Sequence, residues 1–405
     1  MTRSVRRVAW AAVGALAAGG VAAAPAAQAR PGPPQRSCPA AESLVPGTQW
    51  HLHKLAPGVT LAEGATSDSR GRVDMHVLRV DLTQRGVSVE PLRHAIAFRS
   101  PLTALAAHHS GLVAATNTGY FDFMTGAPTG ALISHGQPLV LSKHHEAAVG
   151  IGRDGRAEAG KVWLTSSVVV GSQAHRIAGI NQVGGHRGLG IYTPAWGGRA
   201  VPTSWGTTLR AVRNDLLTAV GGARTVPADG ALLVAHTRTA GHWLASRSTT
   251  AKLAVVGATR TTAPSPFVQA YGVGVTLVQQ PGVPRTGFSC DSANTTQPAR
   301  TAIGFADGGR ELILAMVADH PGTSLHGLDE DQMSKLMVQL GASRAYAFDG
   351  SGSTELLARM PGASSLSLRT YPADGVERPM PVGLGITYHK PKHHHHHKHR
   401  KHRKH

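Results

Sequence analysis

Residues 345–355 read Ala345-Tyr-Ala-Phe-Asp-Gly-Ser-Gly-Ser-Thr-Glu355, an apolar stretch that runs into an acid and then a glycine/serine loop. Ala345, Ala347 and Phe348 suit a strand, which leaves Asp349 at its end, where a pocket mouth would receive it. Gly350 and Gly352 allow close approach of the backbone, so a ligand could meet main-chain N–H groups here. Ser351, Ser353 and Thr354 add hydroxyls, and Glu355 adds a second carboxylate. Taken alone, the segment reads more readily as a β-turn with a solvated acid.

Its company argues for a site. Upstream lie Ala114-Ala-Thr-Asn-Thr-Gly-Tyr-Phe-Asp122 and Gly126-Ala-Pro-Thr-Gly-Ala-Leu-Ile-Ser-His-Gly136. Arg300-Thr-Ala-Ile-Gly304, a helix, Leu340-Gly-Ala342, the Asp349 loop and Glu377-Arg378 follow in that order. Over about residues 73 to 388 this order resembles the phosphodiester glycosidase family. The founding animal member of that family removes N-acetylglucosamine from a phosphodiester and exposes mannose-phosphate on lysosomal enzymes. Its members carry an N-G-G-F-F-like segment, R-T-A-I-G, and L-D-G-G-G-S-T before the C-terminal strand. The chain departs from that pattern at Thr118 and Ser351, where glycine is usual, and at Glu355, where threonine is common.

The resemblance implies cleavage of a sugar-1-phosphodiester. Glycosidic cleavage ordinarily uses two carboxylates, but a phosphate leaves readily. Cations and N–H donors that hold the anion then matter more than a general acid. The segments supply that inventory. Asp349, Asp319 and Asp122 are the candidate catalytic acids. Arg300 and Arg378 would clamp phosphate, and Asn117 would meet sugar or phosphate oxygens. Gly350, Ser351, Gly352, Ser353, Thr354 and Glu355 would line the substrate. Structural alternatives stand beside each role: Asn117 bracing a turn, Arg300 pairing with an acid, Asp122 capping a loop, Arg378 pairing with Glu377 or another surface acid. No cofactor is required; calcium is the cation that Asp carboxylates and main-chain carbonyls would accept. A rival function is a non-catalytic binder of phosphorylated glycans, in which the altered loop grips without cleaving.

Other chemistries fit less well. Gly150-Ile-Gly-Arg-Asp-Gly155 spells G-x-G-x-x-G, but strand-like sequence follows it, whereas a dinucleotide site needs a helix there. No G-x-S-x-G elbow accompanies Ser351 and Ser353. His108-His109 and His144-His145 lack H-E-x-x-H spacing, and neighbours on a strand point to opposite faces.

Strand patterns dominate the chain. Alternation begins at Val73, Met75 and Val77; Leu112 to Thr116 delivers Asn117; hairpins turn at His135-Gly136, Asp154-Gly155 and Asp307-Gly-Gly309. Short β-type runs occur at Leu189 to Tyr192, Leu232 to Ala235 and Leu253 to Val256. A short helix is expected from Pro101 to His109. A longer one is expected between Leu328 and Leu340, with Met333, Leu336, Met337 and Leu340 on its buried face. The expected fold is α+β: a large, mostly antiparallel sheet system with a few packed helices in one catalytic-type domain.

At 405 residues, with 48 Gly and 25 Pro, the chain can bury a full core in a loop-rich, strand-dominated form. Residues 1–29 read as an export signal: Arg3, Arg6 and Arg7, an apolar stretch, and Ala27-Gln28-Ala29 as cleavage site. No later segment is apolar enough to span a membrane. Residues 30–72 form a Pro/Gly-rich leader and N-terminal segment, and 73–388 the catalytic-type domain. Two cysteines in an exported chain, Cys38 and Cys290, predict one disulfide.

Of the net charge of +18, three charges lie in the signal and seven after His389, leaving +8 on residues 30–388. The tail, 389–405, interleaves His with Lys and Arg and has no apolar residue to build a core, which predicts disorder. Its expected partner is an anionic wall polymer or phosphorylated glycan rather than nucleic acid, and its expected location is extracellular, against the wall. Clustered imidazoles also suit metal capture. The sequence leaves oligomeric state open.

Overall fold

A computed structural model describes residues 47–183, 188–203, 208–218, 224–288 and 297–391. The fold is mainly antiparallel α+β in a single domain. Cys38, Cys290, residues 1–29 with the expected export signal, and nearly all of the tail fall outside the described residues.

Three sheets organise the chain. The eight-stranded sheet is centred on a hairpin, Arg300–Ala306 with Glu311–Val317, whose register sets Arg300 opposite Val317. Both strands are apolar almost without interruption because both faces are covered. Ile303, Phe305, Leu312, Leu314 and Met316 face the central core. Ala302, Ile313, Ala315 and Val317 instead meet Met333, Leu336 and Met337 of the helix Glu330–Gln339. That helix begins at a capping box: Gln332 N–H donates to the Asp329 side chain, and the Gln332 side chain accepts from the Asp329 N–H. Strand Arg344–Ala347 lies against Arg300–Ala306, with Ala302 opposite Ala347.

Residues 49–68, grouped above with the leader, are instead the first two strands of this sheet. Gln49–Ala56 and Val59–Asp68 pair with each other, and Val59–Asp68 pairs along its length with Gly71–Asp81. Few of the residues on Gln49–Ala56 are buried, so its apolar signal is weak.

The thirteen-stranded sheet holds residues 132–284 apart from the edge of the eight-stranded sheet, and includes one parallel pair, Gln173–Ile180 with Leu189–Tyr192. The Gly150–Gly155 motif falls in the hairpin Glu146–Gly152 with Ala157–Leu164, as its flanks predict. A helix at Arg238–Ala245 was not legible in the sequence; all its positions but Trp243 and Leu244 are polar or small, and only Ala240, Gly241 and Leu244 are buried.

The five-stranded sheet orders Ser367–Leu368, Leu356–Ala358, Leu112–Asn117, Gly383–Tyr388 and Val87–Leu92. Helix Leu102–Ala106 packs on it through Leu102 and Leu105. The last strand, Gly383–Tyr388, runs between Val87–Leu92 and Leu112–Asn117, with Gly383 opposite Asn117. Among the described residues, no helix is long and apolar enough to cross a membrane.

Candidate active site

Residues 349–355 are the crossing between two sheets. The chain leaves the eight-stranded sheet at Ala347 and enters the five-stranded sheet at Leu356, whose partner is Thr116. Thr301, Asn117 and Asp349 therefore meet at one junction. Phe348 N–H donates to Thr301 O at 2.9 Å, and Ser351 N–H to Ala299 O at 2.7 Å. A Cβ on Gly350 would touch Ala299 O, with Arg300 Cα 3.8 Å away.

Asn117 holds the junction. Its Nδ2 donates to Asp349 O at 2.7 Å, while its Oδ1 accepts from Thr301 Oγ1 at 2.8 Å and from Glu355 N–H at 3.4 Å. The residue is 1% exposed, so it sits beneath the site as a brace rather than at the sugar, where it was expected. Asn117→Ala would leave the Glu355 N–H and the Asp349 carbonyl without their Asn117 partner and Thr301 Oγ1 with Thr354 alone, a loss of roughly 3 kcal/mol. Thermal denaturation is expected to show that loss, and unchanged melting would remove Asn117 from this role.

Most loop amides likewise serve the loop. Gly350 N–H donates to Asp349 Oδ1, Ser353 N–H to Gly350 O, and Thr354 N–H to Ser351 O. They close a tight turn over Ser351–Ser353 instead of forming the ligand cradle expected from the sequence. Ser351 holds a φ of 54°, the left-handed region that glycine adopts without penalty. Ser351→Gly is therefore expected to raise stability by up to about 1 kcal/mol, read from the melting temperature. Thr354 and Glu355 are fully buried, so neither reaches a ligand in this conformation.

The loop presents Asp349. One oxygen accepts from Gly350 N–H at 3.0 Å and the other from Ser353 Oγ at 2.7 Å. Burial pushes this carboxyl up, and the Ser353 and Gly350 hydrogen bonds and the Arg378 charge pull it back. Each carboxylate oxygen retains a further acceptor site, so the group can still take a proton or engage a substrate.

Arg378 covers the loop from above. Its guanidinium makes a two-pronged pair with Asp374 at 2.8 and 3.0 Å and reaches Ser353 Oγ at 3.4 Å. A Cβ on Gly352 would strike both members of that pair, so glycine lets the ion pair lie flat on the turn. The partner is Asp374, not the adjacent Glu377, which instead accepts from Thr103. Arg378 N–H also donates to Glu355 Oε1 at 2.8 Å, while Glu355 Oε2 has no partner. Burial drives the Glu355 carboxyl up to about 8; the Arg378 N–H hydrogen bond and charge oppose this, and Glu377 and Asp374 add to it.

Arg300 is turned toward the helix. Its Nε donates to Leu328 O at 2.9 Å and its Nη1 lies 3.7 Å from Glu330 Oε1. Tyr120 stands among these charges: burial and the Asp349 and Glu330 carboxylates raise its phenol, and Arg300 lowers it. Asp319 follows the end of Glu311–Val317, on the same sheet edge as Arg300. Burial raises it, and the neighbouring His326 and His320 lower it. Asp122 is occupied in its own loop, accepting from Thr125 N–H and Oγ1 at 2.7 Å each and from Met124 N–H at 3.1 Å. Those Thr125 hydrogen bonds keep it low, so it closes a turn rather than holding a proton. Among the described residues, no group of three or more His, Cys, Asp or Glu is placed to hold a metal.

Tyr120, Phe123, Thr301 and Asp374 were not singled out from the sequence. Phe123 is 61% exposed, with its ring 5.8 Å from the Arg378 guanidinium carbon. Tyr120 stands within the quoted Asn117 segment and Thr301 follows Arg300, so both were in view as neighbours, while Phe123 falls just past the end of that segment. Asp374 carries no local signal.

The half-buried Asp349 thus lies below Arg378, with the exposed rings of Tyr120 and Phe123 in the preceding loop. Residues 188–387 match the family profile described as phosphodiester glycosidase. In fold it is similar to a Synechocystis protein, with TM-score 0.68 and 23% identity over 84% of this chain. The chain spans 64% of that relative's length. A Burkholderia pseudomallei protein has TM-score 0.62 and 18% identity over 78% of this chain and 74% of its own. The catalytic domain of zebrafish N-acetylglucosamine-1-phosphodiester alpha-N-acetylglucosaminidase aligns with TM-score 0.45 and 18% identity, covering 84% of this chain and 88% of its own. No curated protein sequence matches the chain.

Proposed function

We propose that the protein is an exported hydrolase that cleaves a sugar-1-phosphodiester in a phosphorylated glycan or wall polymer. The observation that carries this reading is Asp349, held at the sheet junction between Ser353 and Gly350 and overlooked by Arg378, in a chain that matches this family's profile over residues 188–387. Asp349 is the acid that engages the sugar's anomeric carbon or the attacking water. Arg378, with Arg300 behind Tyr120, offsets the charge that builds on the departing phosphate. Tyr120 and Phe123 offer ring faces to the apolar side of a sugar. Asp319 is the second acid on the same sheet edge.

Burial raises Asp349, so activity requiring its ionised form falls on the acid side at a pH above the ordinary carboxylate range. The polycationic tail, in this reading, holds the enzyme on anionic polymer, and high salt weakens that hold. The deciding experiment incubates purified protein with N-acetylglucosamine phosphodiesters and wall glycopolymers and measures free sugar. Folded protein that releases none from any of them would end the proposal; tight binding without release would favour the non-catalytic binder.

A further inference from the structure

A concavity lies beside the Tyr120–Gly126 loop, where Arg199 meets Thr125. It encloses about 430 Å3 and is lined by His94, Phe98, Trp196, Gly197, Gly198 and Arg199. The volume falls within the roughly 300–1,000 Å3 of small-ligand sites. Two chain segments build it and are tied together: Ile96 N–H donates to Ala195 O at 2.8 Å, and Ala97 N–H to Trp196 O at 3.0 Å. Trp196 is buried edge-on against Tyr192, with ring centroids 5.0 Å apart, which fixes the floor. Gly197, at a φ of 97°, turns the chain there. Gly198 faces open space, since a Cβ on it would meet no atom within 4 Å.

The walls combine ring faces with positive charge. Phe98 is 48% exposed, and His94 stands edge-on to it at 5.8 Å and to His108 at 6.0 Å. Arg199 is exposed and donates through Nη1 to Thr125 O at 3.3 Å. That contact joins the concavity to the catalytic side. Thr125 caps the loop that presents Phe123, Phe123 packs near Arg378, and Arg378 reaches Ser353 beside Asp349. Between the two lie exposed Phe123 and Met124, a further apolar surface.

We propose that this concavity is a remote subsite for a glycan bearing phosphate, taking one sugar-phosphate repeat of a polymer while another repeat lies at Asp349. The inference rests on the proposed hydrolase function for its choice of ligand. Aromatic faces suit the apolar side of a pyranose, and a guanidinium suits the phosphate that links it to the next unit. A single short diester is too small to occupy both places, so the subsite acts on polymers alone.

A Cβ at Gly198 meets no atom within 4 Å, so Gly198→Phe adds a ring to the lining without a clash at the backbone, whereas Arg199→Ala removes the guanidinium together with its hydrogen bond to Thr125 O. With a methyl diester of N-acetylglucosamine-1-phosphate, Gly198→Phe should keep wild-type kcat/KM. With a polymer of N-acetylglucosamine-1-phosphate repeats, Gly198→Phe should raise KM about tenfold with little change in kcat, as loss of binding shared by ground and transition states requires. A binding arm is independent of turnover: calorimetric titration of the same polymer into Asp349→Asn and into Asp349→Asn/Gly198→Phe, each shown to be folded by its melting curve. Weaker binding by about tenfold in the double variant supports the subsite. Equal binding by the two, or binding by neither, overturns it. Failure of wild type to cleave the methyl diester would instead count against the hydrolase, and the titration would still decide the subsite.

Discussion

Asp349→Asn is expected to lower kcat on a sugar-1-phosphodiester by roughly 10^3-fold or more while leaving the fold intact. The substitution is nearly isosteric. An asparagine oxygen can still accept from Gly350 N–H, and its amide can donate to Ser353 Oγ, so the turn that now closes on the carboxylate has partners of the right kind. What disappears is the charge and the capacity to carry a proton. KM should change far less than kcat, because Arg300, Arg378 and the aromatic rings are untouched. Steady-state kinetics beside a melting curve checks both parts. A variant retaining a tenth or more of wild-type kcat would place the decisive acid elsewhere, with Asp319 the next to replace.

The second large effect concerns Glu355 and pH. This carboxyl titrates at about 8 in the folded chain, against an ordinary value of 4.5. A raised folded value means that the native state holds a proton that the unfolded chain has released. The stability associated with that proton is complete below about pH 4.5 and is lost as pH rises toward 8. At 1.36 kcal/mol per unit, the loss is on the order of 5 kcal/mol at most. Glu355→Gln stays neutral throughout, and its oxygen can still accept from Arg378 N–H. Calorimetry from pH 5 to 9 should show the variant close to wild type in acid and several kcal/mol more stable in alkali. Parallel curves across that range would show that Glu355 is not the group that titrates. Threonine, the residue common at this position in the family, would avoid the titration altogether.

The sequence displayed the strands better than their assembly. The hairpins at His135-Gly136, Asp154-Gly155 and Asp307-Gly-Gly309 rest on local turn chemistry and apolar runs, and all three form. The helix Glu330–Gln339 was legible because acids fill its first turn and one face is apolar. Gln49–Ala56 was not, because an edge strand with few buried residues carries little alternation. The site divides along the same line. Asp349 at a strand end was readable from its flanks. That Asn117 would turn its amide inward, or that Arg378 would choose Asp374 over Glu377, depends on segments more than two hundred residues apart in one case and on a loop's curvature in the other. Neither leaves a periodic trace. The glycines of the 349–355 loop suggested room for a ligand, but Gly352 makes room for the protein's own ion pair.

Strand Gly383–Tyr388 sits in the interior of its sheet, bonded on one side to Val87–Leu92 and on the other to Leu112–Asn117. For a polypeptide that emerges from the ribosome or a translocation channel N-terminus first, this is an awkward order of assembly. The eight-stranded sheet can close once its Arg344–Ala347 strand is free, yet the strand carrying Asn117 still lacks the neighbour that pairs with it at Gly383. Both flanking strands must wait, with unsatisfied edges, through the synthesis of nearly three hundred residues. Activity is thus withheld until the end of the domain has been delivered, and a chain released early would have no partial competence. Late delivery of a central strand works as a completeness check, since the acid is braced only in a molecule whose last strand has arrived.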